Sequence, residues 1–316
     1  MPQNAPAISV IMSTYNRKPF LRRSVESVLS QTFREFEFIL VDNGSTDGSN
    51  EICERYARED ARVKLIRIEE NRGAPIGRNA GLDAVSADFV TFVDDDDCCE
   101  PEMLEFLWDL ANQYQADISM CGSWNEFPDR REPYFIFDEL LVMDKVEALH
   151  ELLKRQKFNV APPTKLFRKD LFAGIRFKEN VLVDDIHVIY KVFATANKVA
   201  ARGKPLYRFT KHDHNMTGFI HQNRLNADIL NEYLAAFRER TIYLSEKVPA
   251  IAQRARYSEW SYMISMCMKI RASGDPELLA VYDKMIGQLN NDRQEILACP
   301  YTTESEISFL QQHVPF

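Results

Sequence analysis

Four consecutive carboxylates, Asp94-Asp95-Asp96-Asp97, directly follow the short apolar run Phe89–Val93. Such a block repels phosphate, but it can hold a hard divalent cation that takes oxygen ligands and bridges to phosphate oxygens. A short acidic run is ordinarily a solvated turn. Placement at the end of a buried strand favours the cation, because like charges packed in a crevice need a counter-ion. Two other apolar runs also end in polar groups: Ser13-Thr14-Tyr15-Asn16 follows Ile8–Met12, and Asp42-Asn43-Gly44-Ser45-Thr46-Asp47 follows Phe36–Val41. Asp42 and Asn43 suit both an Asx-turn and ligand contact, with Gly44 and Gly48 serving the turn. Tyr15, between Thr14 and Asn16, reads as a stacking platform more than as core. Arg72 and Arg78 in NRGAPIGRNAGL would ordinarily be solvated, but Arg78 falls on a short helix opening at Pro75 and could reach a phosphate. Asp184 and Asp185 precede Ile186, and on residue type alone they read as a helix cap before they read as a base. His212 and His214 in KHDHNMTG belong with the predicted acidic edge.

The elements that must position these residues are legible from periodicity. The runs Ile8–Met12, Phe36–Val41, Val63–Ile68, Phe89–Val93 and Asp117–Cys121 read as buried strands. Amphipathic stretches alternate with them: Phe20–Leu29, a segment capped by Asp47 or Ser49 that ends near Arg58, Pro75 to Val85, and Met103–Tyr114 after Pro101. Strand and helix in alternation predict an α/β fold with a mostly parallel, Rossmann-like sheet flanked by helices and right-handed crossovers. In such a sheet ligands sit outside the carboxyl ends of the strands, where the acidic and polar runs fall. The middle is less regular, with helices expected over Lys145–Lys154 and after Asp185. From Asn223 onward the pattern is helical. The expected division is 1–122 as a nucleotide-binding half, 123–222 as an acceptor-binding half, and 223–316 as a helical C-terminal subdomain.

Composition narrows the function. Lys and Arg number 39 against 47 Asp and Glu, a net charge of −8. An acidic surface disfavours nucleic acid, whose phosphates need clustered Lys and Arg. No stretch of 18 apolar residues exists, so no transmembrane span is expected. With no basic n-region and long h-region at the start, no signal peptide is expected. The six Cys contain no CxxC pair, so disulfides and structural zinc are disfavoured and a cytoplasmic setting is expected, with peripheral contact at the inner membrane face left open. The turn after the first strand lacks GxGxxG, which disfavours a dinucleotide enzyme, and GxxxxGK[ST] is absent, which excludes a P-loop.

In order and spacing, ISVIMSTYNR, SVLSQTFREFEFILVDNGSTDGS, NRGAPIGRNAGL and FVTFVDDDDCCEPEML resemble the nucleotide-binding half of family-2 glycosyltransferases with the GT-A fold, over roughly the first 110 residues. KLFRKDLFAGIRF, VDDIHVIYKVF and PLYRFTKHDHNMTG resemble the acceptor half of bacterial members. The resemblance implies an inverting enzyme that uses a nucleotide-sugar donor, most often a UDP-sugar, with Mn²⁺ or Mg²⁺. It implies that Tyr15 packs on the base, that Asp42 and Asn43 contact it, and that Thr14 and Asn16 belong to the same nucleotide site with Arg78. Asp94 and Asp95 would face the ribose, and Asp96 the metal, with Asp95 and Asp97 close by. The acceptor-activating base falls at Asp185, with Asp184 as cap or orienter, and His212 is preferred over His214 to complete the cation site. Two departures stand out: Asn43 where the family often has a second Asp, and Cys98-Cys99 where an aromatic commonly follows. The implied acceptor is a saccharide or a lipid-linked sugar, in surface polysaccharide synthesis. Homodimerisation through the C-terminal helices is left open. A metal-dependent nucleotidyltransferase is the alternative enzyme, although STYNRKPF is a poor phosphate-binding loop for one. A degenerate binding or scaffold protein is the other, against which the intact Asp94, Asp96 and Asp185 argue.

Overall fold

In the computed structural model of the chain, residues 5–212, 215 and 225–314 are described. The chain divides into two compact units, Met1–His212 and Asp213–Phe316.

The first unit is organised by one sheet. Its opening strands are β1 (Ile8–Thr14), β2 (Phe36–Asn43), β3 (Val63–Ile68) and β4 (Phe89–Phe92), and the helices between them are α1 (Lys18–Leu29), α2 (Ser49–Glu59) and α3 (Ala74–Asp83). These strands pair in parallel in the order β3-β2-β1-β4. β1 and β2 are buried at nearly every position, which is why they read as continuous apolar runs: a parallel sheet is covered on both faces. Beyond β4 come β5 (Cys98–Cys99), α4 (Met103–Tyr114), β6 (Ile118–Glu126), β7 (Arg131–Tyr134), β8 (Leu141–Asp144), α5 (Lys145–Lys154), β9 (Lys165–Arg168), α6 (Asp185–Thr195) and β10 (Lys198–Thr210). The sheet continues as β4-β9-β6-β10-β5, with β7 beside β6 and β8 beside β10. β9 is antiparallel to both β4 and β6. The fifth expected strand, β6, is thus separated from the parallel set by a short strand from much later in the chain. β6 also runs continuously through residues 122 and 123.

Two local expectations are corrected. Helix α2 begins after Gly48, which takes a left-handed conformation (φ 94°) and provides no side-chain cap; Asp47 accepts from the Ser49 N–H at 2.9 Å instead. Asp184 occupies the N-cap position of α6 without a capping hydrogen bond.

The second unit is helical: α7 (Ala227–Lys247), α8 (Ala252–Ser273), α9 (Leu279–Asn291), α10 (Arg293–Ala298) and α11 (Glu304–His313). Asn226 caps α7 through the Asp228 N–H, Gly274 ends α8 in the left-handed region, and Thr303 with Glu306 forms a capping box on α11. Trp260, Ile264, Cys267, Leu289, Ile296 and Leu310 lie in its own buried cluster. All six cysteines are free and buried. Among the described residues, no helix is long and apolar enough to cross a membrane.

Candidate active site

The carboxyl ends of β1, β2 and β4 meet at one edge, and the polar runs after them are stitched together there. Asn16 (φ 52°) accepts from the Thr46 N–H at 2.8 Å, and its own N–H donates to Ser45 Oγ at 3.1 Å. Asp42 accepts from the Ser45 N–H at 3.1 Å, three residues on rather than the two of the expected Asx-turn. Tyr15 remains 40% exposed beside this seam. Asn43 is buried and committed to the neighbouring loop: its amide donates to Gly73 O at 2.9 Å and to Asn71 Oδ1 at 3.1 Å. Asp42 is likewise buried.

The four carboxylates after β4 have separate partners. Asp95 turns inward, accepting from the Tyr15 N–H at 3.3 Å and lying 3.5 Å from Arg17; burial and the Asp96 charge push its pKa up to about 7, against a Thr14 hydrogen bond and Arg17. Asp97 is buried and bonded to Tyr207 and to the Thr210 N–H; burial and the Asp96 and Asp94 charges raise it as well. Asp94 pairs with Arg78 at 3.0 Å, but burial outweighs that pairing and raises its pKa. Asp96 lies 3.0 Å from His212 Nε2, and Phe20 stacks on the His212 ring with centroids 4.3 Å apart. His214 lies outside the described residues.

Arg78 joins this edge to the start of α6. Its Nη1 is 2.6 Å from both carboxylate oxygens of Asp184, its Nη2 donates to Asp94, and its guanidinium lies 5.5 Å from the Phe177 ring centroid. Burial works against its charge, yet Asp184 and Asp94 overcome that and raise its pKa. Arg78, read from the sequence as able to reach a phosphate, here bridges two acidic groups that lie 16 and 106 positions from it in sequence. Asp185 sits beside the bridge with no such partner. Burial and the Asp184 charge raise its pKa to about 6, opposed by Arg78 and the Ile186 N–H.

The residues present fit a divalent cation of a particular kind. Among the described residues, no group of three or more His, Cys, Asp or Glu could hold one unaided. Asp96 and His212 converge, and the adjoining carboxylates lack enough positive charge to keep their pKa values down. That donor set suits an ion completed by water and substrate phosphate oxygens. Sequence reasoning missed Tyr207 and Phe20, which anchor this corner; an aromatic inside an apolar run carries no sign of what its ring or hydroxyl meets.

Residues 9–177 match the model of glycosyl transferase family 2. The chain is 34% identical over 212 residues to glycosyltransferase GlyA of Streptococcus pneumoniae, a stretch that is 64% of this chain and 30% of GlyA. The chain therefore spans less than a third of that relative's length. It is 30% identical over 213 residues to glycosyltransferase GlyG of the same organism, covering 65% of this chain and 70% of GlyG. Among solved structures, S. aureus TarS residues 1–349 in complex with UDP-GlcNAc superposes with a TM-score of 0.72 at 22% identity, over 93% of this chain and 81% of that one. The mannosyltransferase PcManGT from Pyrobaculum calidifontis, in complex with GDP-Man and Mn²⁺, superposes with a TM-score of 0.53 at 16% identity, over 91% of this chain and 81% of that one. The likeness to these two structures is one of fold.

Proposed function

The chain belongs to glycosyl transferase family 2, and from that premise we propose that it moves a sugar from a nucleotide-diphosphate donor, a UDP-sugar, to a hydroxyl of a saccharide or lipid-linked acceptor, with inversion, in surface polysaccharide synthesis. The observation that carries this reading is the Asp94–Arg78–Asp184 bridge, because it brings an ionisable carboxylate, Asp185, to the same edge as the acidic block. In this reading Tyr15 stacks on the nucleobase, and the turn of Thr14, Asn16, Asp42 and Asn43 shapes the pocket around it. Asp94 and Asp95 lie toward the ribose. Asp96 and His212 hold Mn²⁺ or Mg²⁺, which when bound neutralises charge on the diphosphate leaving group. Arg78 fixes Asp184, and Asp184 in turn fixes the first turn of α6. Asp185 then accepts the proton of the acceptor hydroxyl, whose oxygen attacks the anomeric carbon in line as the bond to the diphosphate oxygen breaks. A single displacement inverts the anomeric centre and needs no covalent sugar–protein intermediate.

A pKa raised to about 6 suits this role. The group is ionised at neutral pH and more basic than a solvated carboxylate, which improves proton abstraction. The TarS complex supports UDP-GlcNAc as the first donor to try. The test is a thermal-shift screen of UDP-, GDP- and TDP-sugars with and without Mn²⁺. Bound ligand raises the apparent melting temperature by mass action, so a UDP-sugar should stabilise the chain much more with the cation present than without it. Stabilisation by no nucleotide sugar under either condition would overturn the reading.

A further inference from the structure

The acidic turn is tied to the far end of the sheet by two buried side chains that the reaction itself does not require. Tyr207, fully buried on β10, places its hydroxyl between two segments of that turn: it accepts from the Asp94 N–H at 3.1 Å and donates to Asp97 Oδ2 at 2.9 Å. The other oxygen of Asp97 accepts from the Thr210 N–H at 2.7 Å. Thr210 ends β10, and two residues later His212 meets Asp96 at 3.0 Å. The antiparallel pairs Tyr207 with Cys99 and Arg208 with Cys98 continue the tie. Arg23 adds to it from outside, donating to Thr210 Oγ1 at 2.7 Å and to Asp96 O at 3.4 Å.

We propose that Asp97 and Tyr207 act as a latch, a pair of positioning residues that hold the chain after β10 so that His212 is delivered to Asp96. This rests on the reading of Asp96 and His212 as the cation pair. The physical argument is one of reach. His212 lies two residues past Thr210, the end of β10, and the Lys211 N–H between them donates to Glu126 O at 2.7 Å. Asp97 anchors Thr210 to the same turn that carries Asp96, so the two partners share one rigid frame. The hydroxyl of Tyr207 fixes that turn at Asp94 and Asp97 together. A ligand held by such a frame loses little freedom when a cation arrives, and groups that orient metal ligands typically control affinity about 10–100-fold.

The test is calorimetric titration of UDP at increasing Mn²⁺, reading the Mn²⁺ concentration that gives half-maximal nucleotide binding. Y207F keeps the ring and its packing and removes only the hydroxyl; it should raise that concentration about tenfold. D97A, which frees Thr210 as well, should raise it further. D97N keeps an acceptor for the Thr210 N–H and should fall between wild type and D97A. H212A is run beside them, and the melting temperature of every variant is taken without metal. If H212A shifts the Mn²⁺ requirement while Y207F and D97N do not, the latch is overturned and the cation reading stands. A lowered melting temperature with an unchanged Mn²⁺ requirement also overturns it, since that is a purely structural role. If H212A shifts nothing, the cation reading fails, and the latch fails with it for lack of anything to position.

Discussion

Asp184 and Asp185 are adjacent residues of one type in opposite circumstances, and the difference is Arg78. Asp184 is neutralised by a guanidinium at 2.6 Å, whereas Asp185 is desolvated beside a like charge and its pKa rises from an ordinary 3.8 to about 6. Keeping Asp185 ionised at pH 7 therefore costs the fold about 2–3 kcal/mol, at about 1.4 kcal/mol per pKa unit. Asp185→Asn should accordingly raise the melting temperature at pH 7 while lowering transfer about 10²–10⁴-fold, the loss expected for a general base. Asp184→Asn should do the reverse in stability: it strips Arg78 of its main counter-charge and should cost about 1–3 kcal/mol. The sign with pH follows from the raised pKa. Between about pH 4 and 6 the folded chain holds a proton that the unfolded chain has released, so this group favours folding increasingly as pH falls through that window. Turnover should move the other way, falling below about pH 6 as the base protonates. Melting curves and transfer rates of both variants across pH 4–8 check this, and an Asp185→Asn protein with wild-type turnover would place the base elsewhere. The resemblance to family-2 enzymes, and not residue type alone, pointed to Asp96, Asp185 and His212. The sequence named Arg78 and Asn43 but did not carry their partners: those of Arg78 include a contact across 106 positions, and the Asn43 amide is spent on Asn71 and Gly73.

Among the elements, α3 governs where Arg78 points, and α3 lies close against β1 through two glycines one turn apart. A methyl group on Gly77 would stand 1.9 Å from Ser13 Oγ, and one on Gly81 would stand 2.5 Å from Ile11 Cγ2. Gly77→Ala should therefore cost about 1–3 kcal/mol through overpacking, and should reduce transfer as well, because Arg78 is the next residue. Removing the clash from the other side, in Gly77→Ala with Ser13→Gly, should recover part of the loss, as coupled neighbours do. Gly287→Ala is the control. It lies within α9 in open space, so alanine there should stabilise by about 0.5–1 kcal/mol. Urea unfolding of the three proteins settles the order, and equal effects at 77 and 287 would mean that α3 does not depend on its glycine contact. The strands β1 to β4 and the helices between them were legible because each buries a face with its own period. β9 and β7 were not: the first is four residues long and takes its place from β4 and β6 on either side, and the second, Arg-Glu-Pro-Tyr, is largely exposed. Short strands are specified by what they pair with, which a linear pattern does not carry.

At the scale of the whole chain, two units each have a core of their own, one around Val10, Phe38 and Leu107 in the sheet and one around Trp260, Cys267 and Leu310 in the helices. Every described residue assigned to the donor and cation sites falls in the first unit. Opening of β1, β2 or β4 would destroy that site, so nucleotide binding must oppose those openings by its full binding free energy. The Tyr15–Asp95 and Asp96–His212 contacts lie within the first unit, so an opening confined to α7 to α11 does not break them and binding has no such hold on it. Hydrogen exchange should reflect this asymmetry. With UDP and Mn²⁺ at about 100 times the dissociation constant, slowly exchanging amides of β1, β2 and β4 should gain about 2.7 kcal/mol of protection. Amides in the cores of α8 and α9 should exchange as they do in the free protein. Equal gains in both units would mean that they open as one cooperative body, and gains confined to the helices would remove the nucleotide from the sheet edge altogether. Omitting the Mn²⁺ separates two contributions, because stacking on Tyr15 survives its loss whereas the hold at Asp96 and His212 does not. Protection of β1 and β2 should then fall only partway toward the free value, and protection of the turn after β4 should fall the most.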